Sequence, residues 1–268
     1  MITAILRSLR TGVVTVRYPA QPTQPPERFR GPPQIRPGTF FDALPPSSVC
    51  PSGAIVGGPS EPKYSIDIAR CIFCGRCAEQ SRDGAIEIGR DFELSAKKRE
   101  SLVMEVENGA DGRSSQLLPL PTEEQVAKRI RQTLGRSLQL RHLDSGSCNA
   151  CDWELTALLN PVYDVRRLGI DFVASPRHAD GVIVTGSVTR NLETAVRRTY
   201  DAVPEPRVVI AVGACAASGG IVGRGYASAG GIGEVLPVDV HIPGCPPRPE
   251  AIIFGILLAV GRLCERRR

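Results

Sequence analysis

Five short apolar runs between residues 138 and 244 constrain the fold more than any other feature of the chain. "LQLRHL" (138–143), "GIDFVA" (169–174), "GVIVTG" (181–186), "RVVIAVG" (207–213) and "VDVHIPG" (238–244) read as strands. Helical patterns separate or follow several of them, at 153–159, 192–202 and 250–263. Strands that are apolar on both faces offer nothing to water, so they belong in a parallel sheet covered by helices on each side. Ligand-handling groups in such sheets gather just beyond the carboxyl ends of the strands, which directs attention to the residues after each run.

Upstream the chain is different. It opens with Ile2, Ile5, Leu6 and Leu9 at helical spacing against Arg7 and Arg10, which suits a helix lying on an interface or docking on a partner, or one packed on its own domain. A proline-rich stretch, "PAQPTQPPERFRGPPQIRPG", follows and is expected to be extended. Around 107–115 the polar "ENGADGRSS" reads as a linker. It leads to a helix over 122–134 with Thr122 as cap and Gln125 three residues on. The 268 residues suffice for one large domain or two modest ones. A net charge of +5, with no recognition helix, zinc-finger spacing or lysine-rich tail, fits a basic docking face better than nucleic acid. The amino-terminal residues lack the pattern of an export signal. The longest apolar run, "AIIFGILLAVG" (251–261), is too short to span a bilayer.

Nine cysteines in tight, CxxC-type spacing with an odd total argue against a disulfide scaffold. Cys71, Cys74 and Cys77 form a CxxCxxC loop, but Ser81 stands where a fourth thiol is expected. In two-cluster ferredoxin runs the last cysteine, followed by proline, serves the other cluster. Cys50-Pro51 matches that ending, with Phe40, Ala43 and Pro46 where its own three companions should be. The surviving set is Cys50, Cys71, Cys74 and Cys77, expected to bind one [4Fe-4S] cluster. Structural zinc on the same four residues is the alternative, although zinc favours two CxxC pairs. This part resembles a ferredoxin-type iron-sulfur domain. Its upstream stretch (18–35) is similar to the extension of the ferredoxin-like subunits of group 4 hydrogenases and complex I, which usually carry two clusters.

The remaining blocks are "GSCNACDWE" with Cys148 and Cys151, "VGACAASGG" with Cys215 and "PGCPPRPEAI" with Cys245, each expected in a loop after a strand. Four thiols at one sheet edge suffice for a second [4Fe-4S] cluster, with inert buried cysteines as the plainer alternative for Cys215 and Cys245. With "SPRHADGVIVTG" these blocks resemble the small subunit of group 4 [NiFe]-hydrogenases, including those of formate hydrogenlyase, and the 20 kDa subunit of NADH:quinone oxidoreductase. The likeness covers roughly 138–263. It implies that Cys148, Cys151, Cys215 and Cys245 hold a cluster at the interface with a large catalytic subunit. The complex I subunits carry adjacent cysteines in the first block, whereas CNAC is the hydrogenase form. Cys264 is read as structural or unpaired, His178 as a surface hydrogen-bonding residue, and Trp153 with Glu154 as a helix start or a partner contact.

The resulting fold class is α/β: a flavodoxin-like parallel sheet domain preceded by a small α+β ferredoxin-like domain. The divisions are an extension at 1–36, a degenerate ferredoxin-like domain at 37–107, a linker and helix at 108–137, and the hydrogenase-like domain at 138–268. No GxGxxG dinucleotide loop opens a βαβ unit, no nucleophile triad is present, and the cysteines needed for a nickel centre are lacking. Bond chemistry therefore belongs to a partner. The expectation is an electron-transfer subunit with two [4Fe-4S] clusters. It would sit between a large [NiFe]-hydrogenase-like subunit and a further redox protein, with membrane-anchor subunits, peripheral on the cytoplasmic face of the cell membrane. The competing readings are a nickel-free complex I-like quinone or ferredoxin oxidoreductase subunit, a structural iron-sulfur docking subunit and, last, a nucleic-acid-binding iron-sulfur protein.

Overall fold

The computed structural model describes residues 3, 7, 10–58, 63–106 and 123–266. Ile2, Ile5, Leu6 and Leu9 of the expected opening helix, the 107–115 linker and the cap Thr122 lie outside the described residues.

The small domain is built from short antiparallel pairs. Strand β1 (Pro33–Ile35) is joined through β2 (Ile55–Val56) and β3 (Tyr64–Asp67) to helix α1 (Arg76–Gln80), then β4 (Ile86–Ile88) and β5 (Val103–Val106). β1 pairs with β4, and β3 lies between β2 and β5. Every pairing is antiparallel. Alternation decides which side chains enter: Tyr64 and Ile66 are buried, while Ser65 and Asp67, alternating with them, are only partly covered. They join Ile35, Phe41, Leu44, Ile55, Ala85 and Ile86 in one core, against which Cys50 and Cys77 pack.

Helix α2 (Glu123–Leu134) leads into the large domain. Its strands are β6 (Leu138–Asp144), β7 (Ile170–Phe172), β8 (Gly181–Thr185), β9 (Val188–Thr189), β10 (Val208–Val212), β11 (Ser228–Gly230) and β12 (Val240–Ile242). Five of them form the sheet β12-β10-β8-β6-β7, parallel throughout, while β9 and β11 make a separate antiparallel pair. Read from the other edge, the sheet order is second, first, third, fourth, fifth, which is flavodoxin-like, with its switch point between β6 and β8. Every residue of β8, β10 and β12 is buried, as two-faced burial requires. Helices α3 (Ala150–Ala157), α4 (Arg190–Asp201), α5 (Gly213–Ser218) and α6 (Pro249–Arg266) complete the domain. One core lies under α6, with Ile252, Ile253 and Ile256 against Ile210 and Val240; the other gathers Val184, Val196, Val209 and Ile232. Among the described residues no helix is long and apolar enough to cross a membrane.

The amino-terminal strap and a loop of the small domain bind the two domains together. Tyr18 is fully buried in the core under α6, its ring tilted on Phe92 with centroids 5.9 Å apart. Its hydroxyl donates to Glu93 Oε1 at 2.9 Å. Arg167 Nη2 donates to the carbonyls of Val16 and Tyr18, at 2.7 and 2.5 Å. The chain then passes into β1 of the small domain. Further on, Ala96 and His241 exchange backbone hydrogen bonds of 3.0 and 2.8 Å, so the small domain caps the edge strand β12. Ala69, Leu102 and Ala217 close the contact as a small apolar cluster. Removing the Tyr18 ring leaves a cavity and an unsatisfied Glu93. Tyr18→Ala is expected to cost about 3–5 kcal/mol, and Tyr18→Phe, which loses only the hydrogen bond, about 1–3 kcal/mol. Urea unfolding of the two variants checks that ranking.

Candidate functional site

The first cysteine group lies where the small domain's loops meet. Cys50 follows a single turn of 3-10 helix, Ser47–Val49, and its Sγ accepts the amide of Ala54 at 3.2 Å with Ser52 Oγ 3.5 Å away. The Cys71–Cys77 loop reverses through left-handed Phe73 (φ 55°) and Gly75 (φ 84°), the latter serving as N-cap of α1. Cys71 Sγ accepts the amide of Phe73 at 3.4 Å. Cys50, Cys71, Cys74 and Cys77 all line one apolar cavity, together with Pro33, Ile66 and Ile88. Ser81 is not part of it. Its hydroxyl donates to Ala78 O at 2.9 Å and accepts the amide of Ile86 at 3.2 Å, which braces the turn into β4.

Charge is costly in this cavity. Burial pushes the Cys71 thiol up to about 12 and the Cys77 thiol up to about 11. At Cys50 burial pushes the same way, but the Ser52 hydroxyl and the amides of Ala54, Ser52 and Ile55 outweigh it and the thiol is lowered.

The second group sits at the carboxyl ends of the large sheet. Cys148 lies in the turn after β6, and Cys151 is in the first turn of α3. Cys215 lies within α5, a short helix rather than the expected loop, and Cys245 follows β12. Cys151 is buried, Cys215 half-buried, and Cys148 and Cys245 are exposed. Burial raises the Cys151 thiol, and the three other thiols of the group raise it further, which places all four within electrostatic reach of one another. Close approach of backbone makes this possible. A Cβ at Gly213 (φ 85°) would fall 2.6 Å from Cys151 Sγ, and one at Gly186 (φ 79°) would collide with the amide of Ser147.

The expectation of two [4Fe-4S] clusters, and with it the reading of a metal-binding iron-sulfur protein, is corrected by this geometry. Among the described residues no group of three or more His, Cys, Asp or Glu side chains could hold a metal ion. Sharing a cavity is a looser condition than converging on an ion, and Cys50, Cys71, Cys74 and Cys77 meet only the looser one. The residues do not fit the group.

Other singled-out residues are placed as follows. Trp153 is 74% exposed on α3, beside the Cys148–Cys151 turn. Burial, then the neighbouring Glu250, raises the carboxyl of Glu154. His178 ends a 3-10 turn, Pro176–His178. Cys264 falls in α6. Two features escaped the sequence reading. One is the pair Arg248–Glu250, joined by hydrogen bonds of 2.8 and 2.6 Å with Glu250 almost fully buried. The other is a polar network from four elements around Asp152. Nothing local marks either. By contrast, α5 had a signal, an alanine-rich run closed by left-handed Gly219.

His241, on the strand that delivers Cys245, is 6% exposed, and its Nδ1 is buried with no hydrogen-bond partner among the described residues. Burial, followed by the charge of Arg99, lowers it to about 4. Its folded value thus lies below the unfolded value near 6.5. Stability is complete above about pH 6.5 and is lost as pH falls from there towards about 4, because only the unfolded chain takes the proton. Between pH 7.5 and pH 5 this should remove about 2 kcal/mol, a loss that His241→Gln should largely abolish. Urea unfolding at the two pH values measures it.

A sequence profile described as "NADH ubiquinone oxidoreductase, 20 Kd subunit" matches residues 148–259. The probable membrane-bound hydrogenase subunit mbhJ of Pyrococcus furiosus is 44% identical over 145 residues, covering 53% of this chain and 87% of that subunit. Formate hydrogenlyase subunit 7 of Escherichia coli is 40% identical over 152 residues, covering 56% of this chain and 60% of that protein. Among solved structures, a chain of the membrane-bound sulfane sulfur reductase, an archaeal respiratory membrane complex, is 34% identical. It covers 48% of this chain and 72% of that one, with a TM-score of 0.43.

Proposed function

Because the chain belongs to the family of the NADH:ubiquinone oxidoreductase 20 kDa subunit and the small subunits of group 4 [NiFe]-hydrogenases, we propose that it is the accessory electron-transfer subunit of a membrane-associated hydrogenase complex. The likeness to the hydrogenase subunit mbhJ, which extends over 87% of that subunit, carries this reading. The CxxC spacing of Cys148 and Cys151 favours the hydrogenase branch over the quinone-reducing one. The subunit performs no bond chemistry itself. It associates with a large catalytic subunit, with membrane-anchor subunits and with a further redox protein.

The large domain, taken as 138–268, faces the catalytic partner through Cys148, Cys151, Cys215 and Cys245. Exposed apolar side chains flank these residues in the chain: Trp153 at 74%, Ile221 at 61% and Tyr226 at 99%. Large exposed apolar groups beside a polar rim are what a partner surface needs. The small domain, taken as 37–107, faces the second redox protein through Cys50, Cys71, Cys74 and Cys77. The 1–36 extension, whose Pro33–Ile35 forms β1 of the small domain, and the 108–137 connection join the two. The chain lies peripherally on the cytoplasmic face of the membrane, held there by its partners.

Anaerobic affinity purification of the full chain from its own cells tests the association. A large hydrogenase-type subunit should co-elute in equal amount, and the eluate should reduce a viologen dye with hydrogen. Elution of a chain without that subunit, while hydrogen-dependent dye reduction stays in the unbound fraction, would overturn the proposal.

A further inference from the structure

The turn between β6 and α3 carries an energetic problem. Asn149, between Cys148 and Cys151, adopts φ 68°, a left-handed conformation that a residue with a Cβ enters at a cost, and its side chain makes no capping bond. Something must hold it there. The hydrogen bonds lead to one carboxylate. The amide of Asn149 donates to Ser147 Oγ at 3.0 Å, and the Ser147 hydroxyl donates to Asp152 Oδ2. The other oxygen, Oδ1, accepts the hydroxyl of Thr185 at 2.6 Å and lies 2.9 Å from His142 Nε2. Burial lowers the His142 ring against the pull of Asp152, which its Nε2 faces. Asp144 Oδ1 fixes the start of the turn by taking the amides of Gly146 and Ser147 at 2.8 and 2.7 Å.

An acidic residue in the first turn of a helix ordinarily serves its own helix, through the dipole and the free amides. Asp152 does not. Both of its oxygens are taken by side chains from outside α3: Ser147 in the turn, His142 on β6 and Thr185 at the end of β8. Asp144 and Thr185 are register partners on those two strands, so the strand ends and the turn share one polar knot at the switch point of the sheet.

We infer that Asp152 is the positioning residue of the Cys148–Cys151 turn, bolting it to the ends of β6 and β8 and holding Cys151 buried beneath it. This deepens the proposed function and rests on it for its purpose, since a surface that docks a partner gains from a turn that does not rearrange. The bolt itself is physical and can be tested without electron transfer. Asn at 152 keeps the shape, accepting from Thr185 and His142 while its NH2 donates to Ser147 Oγ. Ala keeps none of it.

The test is alkylation of the purified full chain by iodoacetamide, with the rate at each cysteine followed by peptide mass spectrometry. Cys151 reacts only when the turn opens, and Cys71, equally buried in the other domain, reports general loosening. Asp152→Ala should raise the Cys151 rate about five- to thirtyfold, the population change that loss of one or two such bonds produces. Asp152→Asn should stay within about twofold of the unsubstituted chain, and Cys71 should not change in either. Thr185→Val, close in volume, removes one donor and should accelerate Cys151 if the alanine variant does not fold. An unchanged Cys151 rate in Asp152→Ala or Thr185→Val would overturn the inference, as would an asparagine variant as fast as alanine or equal acceleration of Cys71. If these rates behave as expected but the complex passes no electrons, the proposed function fails and the positioning role stands.

Discussion

Ala96 and His241 exchange both of their backbone hydrogen bonds, at 3.0 and 2.8 Å, along the outer side of β12. An open edge of a buried parallel sheet presents unpaired amides and carbonyls that must be met by something. Here the small domain meets them. The cover is held from the other side by Tyr18, which is buried in the large domain's core although the same strap runs on into β1. Arg99 and Asp67, paired at 2.9 and 2.5 Å, stand beside the buried His241. The two cysteine-bearing domains are therefore not beads on a linker. Backbone pairing, an aromatic anchor and a small apolar contact fix one against the other.

That arrangement brings the two sets of functional loops together. Ala69, two residues before Cys71, packs with Ala217, two residues after Cys215, and Ser218 Oγ donates to Ala69 O at 3.3 Å. In the large domain the Cys148–Cys151 turn stands at the switch point between β6 and β8, where open α/β sheets place their working groups. Glycine makes the approach possible at Gly186 and Gly213, where any side chain would strike the turn or Cys151. Shielding is uneven: Cys71 and Cys151 are buried, whereas Cys148 and Cys245 are exposed.

Much of this was legible in the chain. The five strands of the sheet and the helices after them follow from apolar runs, whereas the bracing bonds of Ser81 to Ala78 and Ile86 emerge only in the structure. Spacing grouped the cysteines into two sets of four; the first set lines one cavity, and the second lies at the carboxyl ends of the large sheet. The clusters inferred from that spacing were not borne out, because spacing states which thiols are neighbours in the chain and says nothing of where their sulfur atoms point. Helix α5 was missed because "GACAAS" is short and begins on a glycine. The Asp152 network was illegible for a deeper reason: Ser147, His142 and Thr185 converge only once the register of β6 on β8 is known.

As an accessory electron-transfer subunit, this chain would connect a partner that handles hydrogen itself to a redox dye. Hydrogen–deuterium exchange by the catalytic partner needs no electron exit, whereas dye reduction does, so measuring both activities in membranes with and without this chain separates the two roles. The account predicts that loss of the chain abolishes hydrogen-dependent dye reduction while the exchange reaction persists on the assembled partner. Dye reduction that continues at full rate without the chain would contradict it.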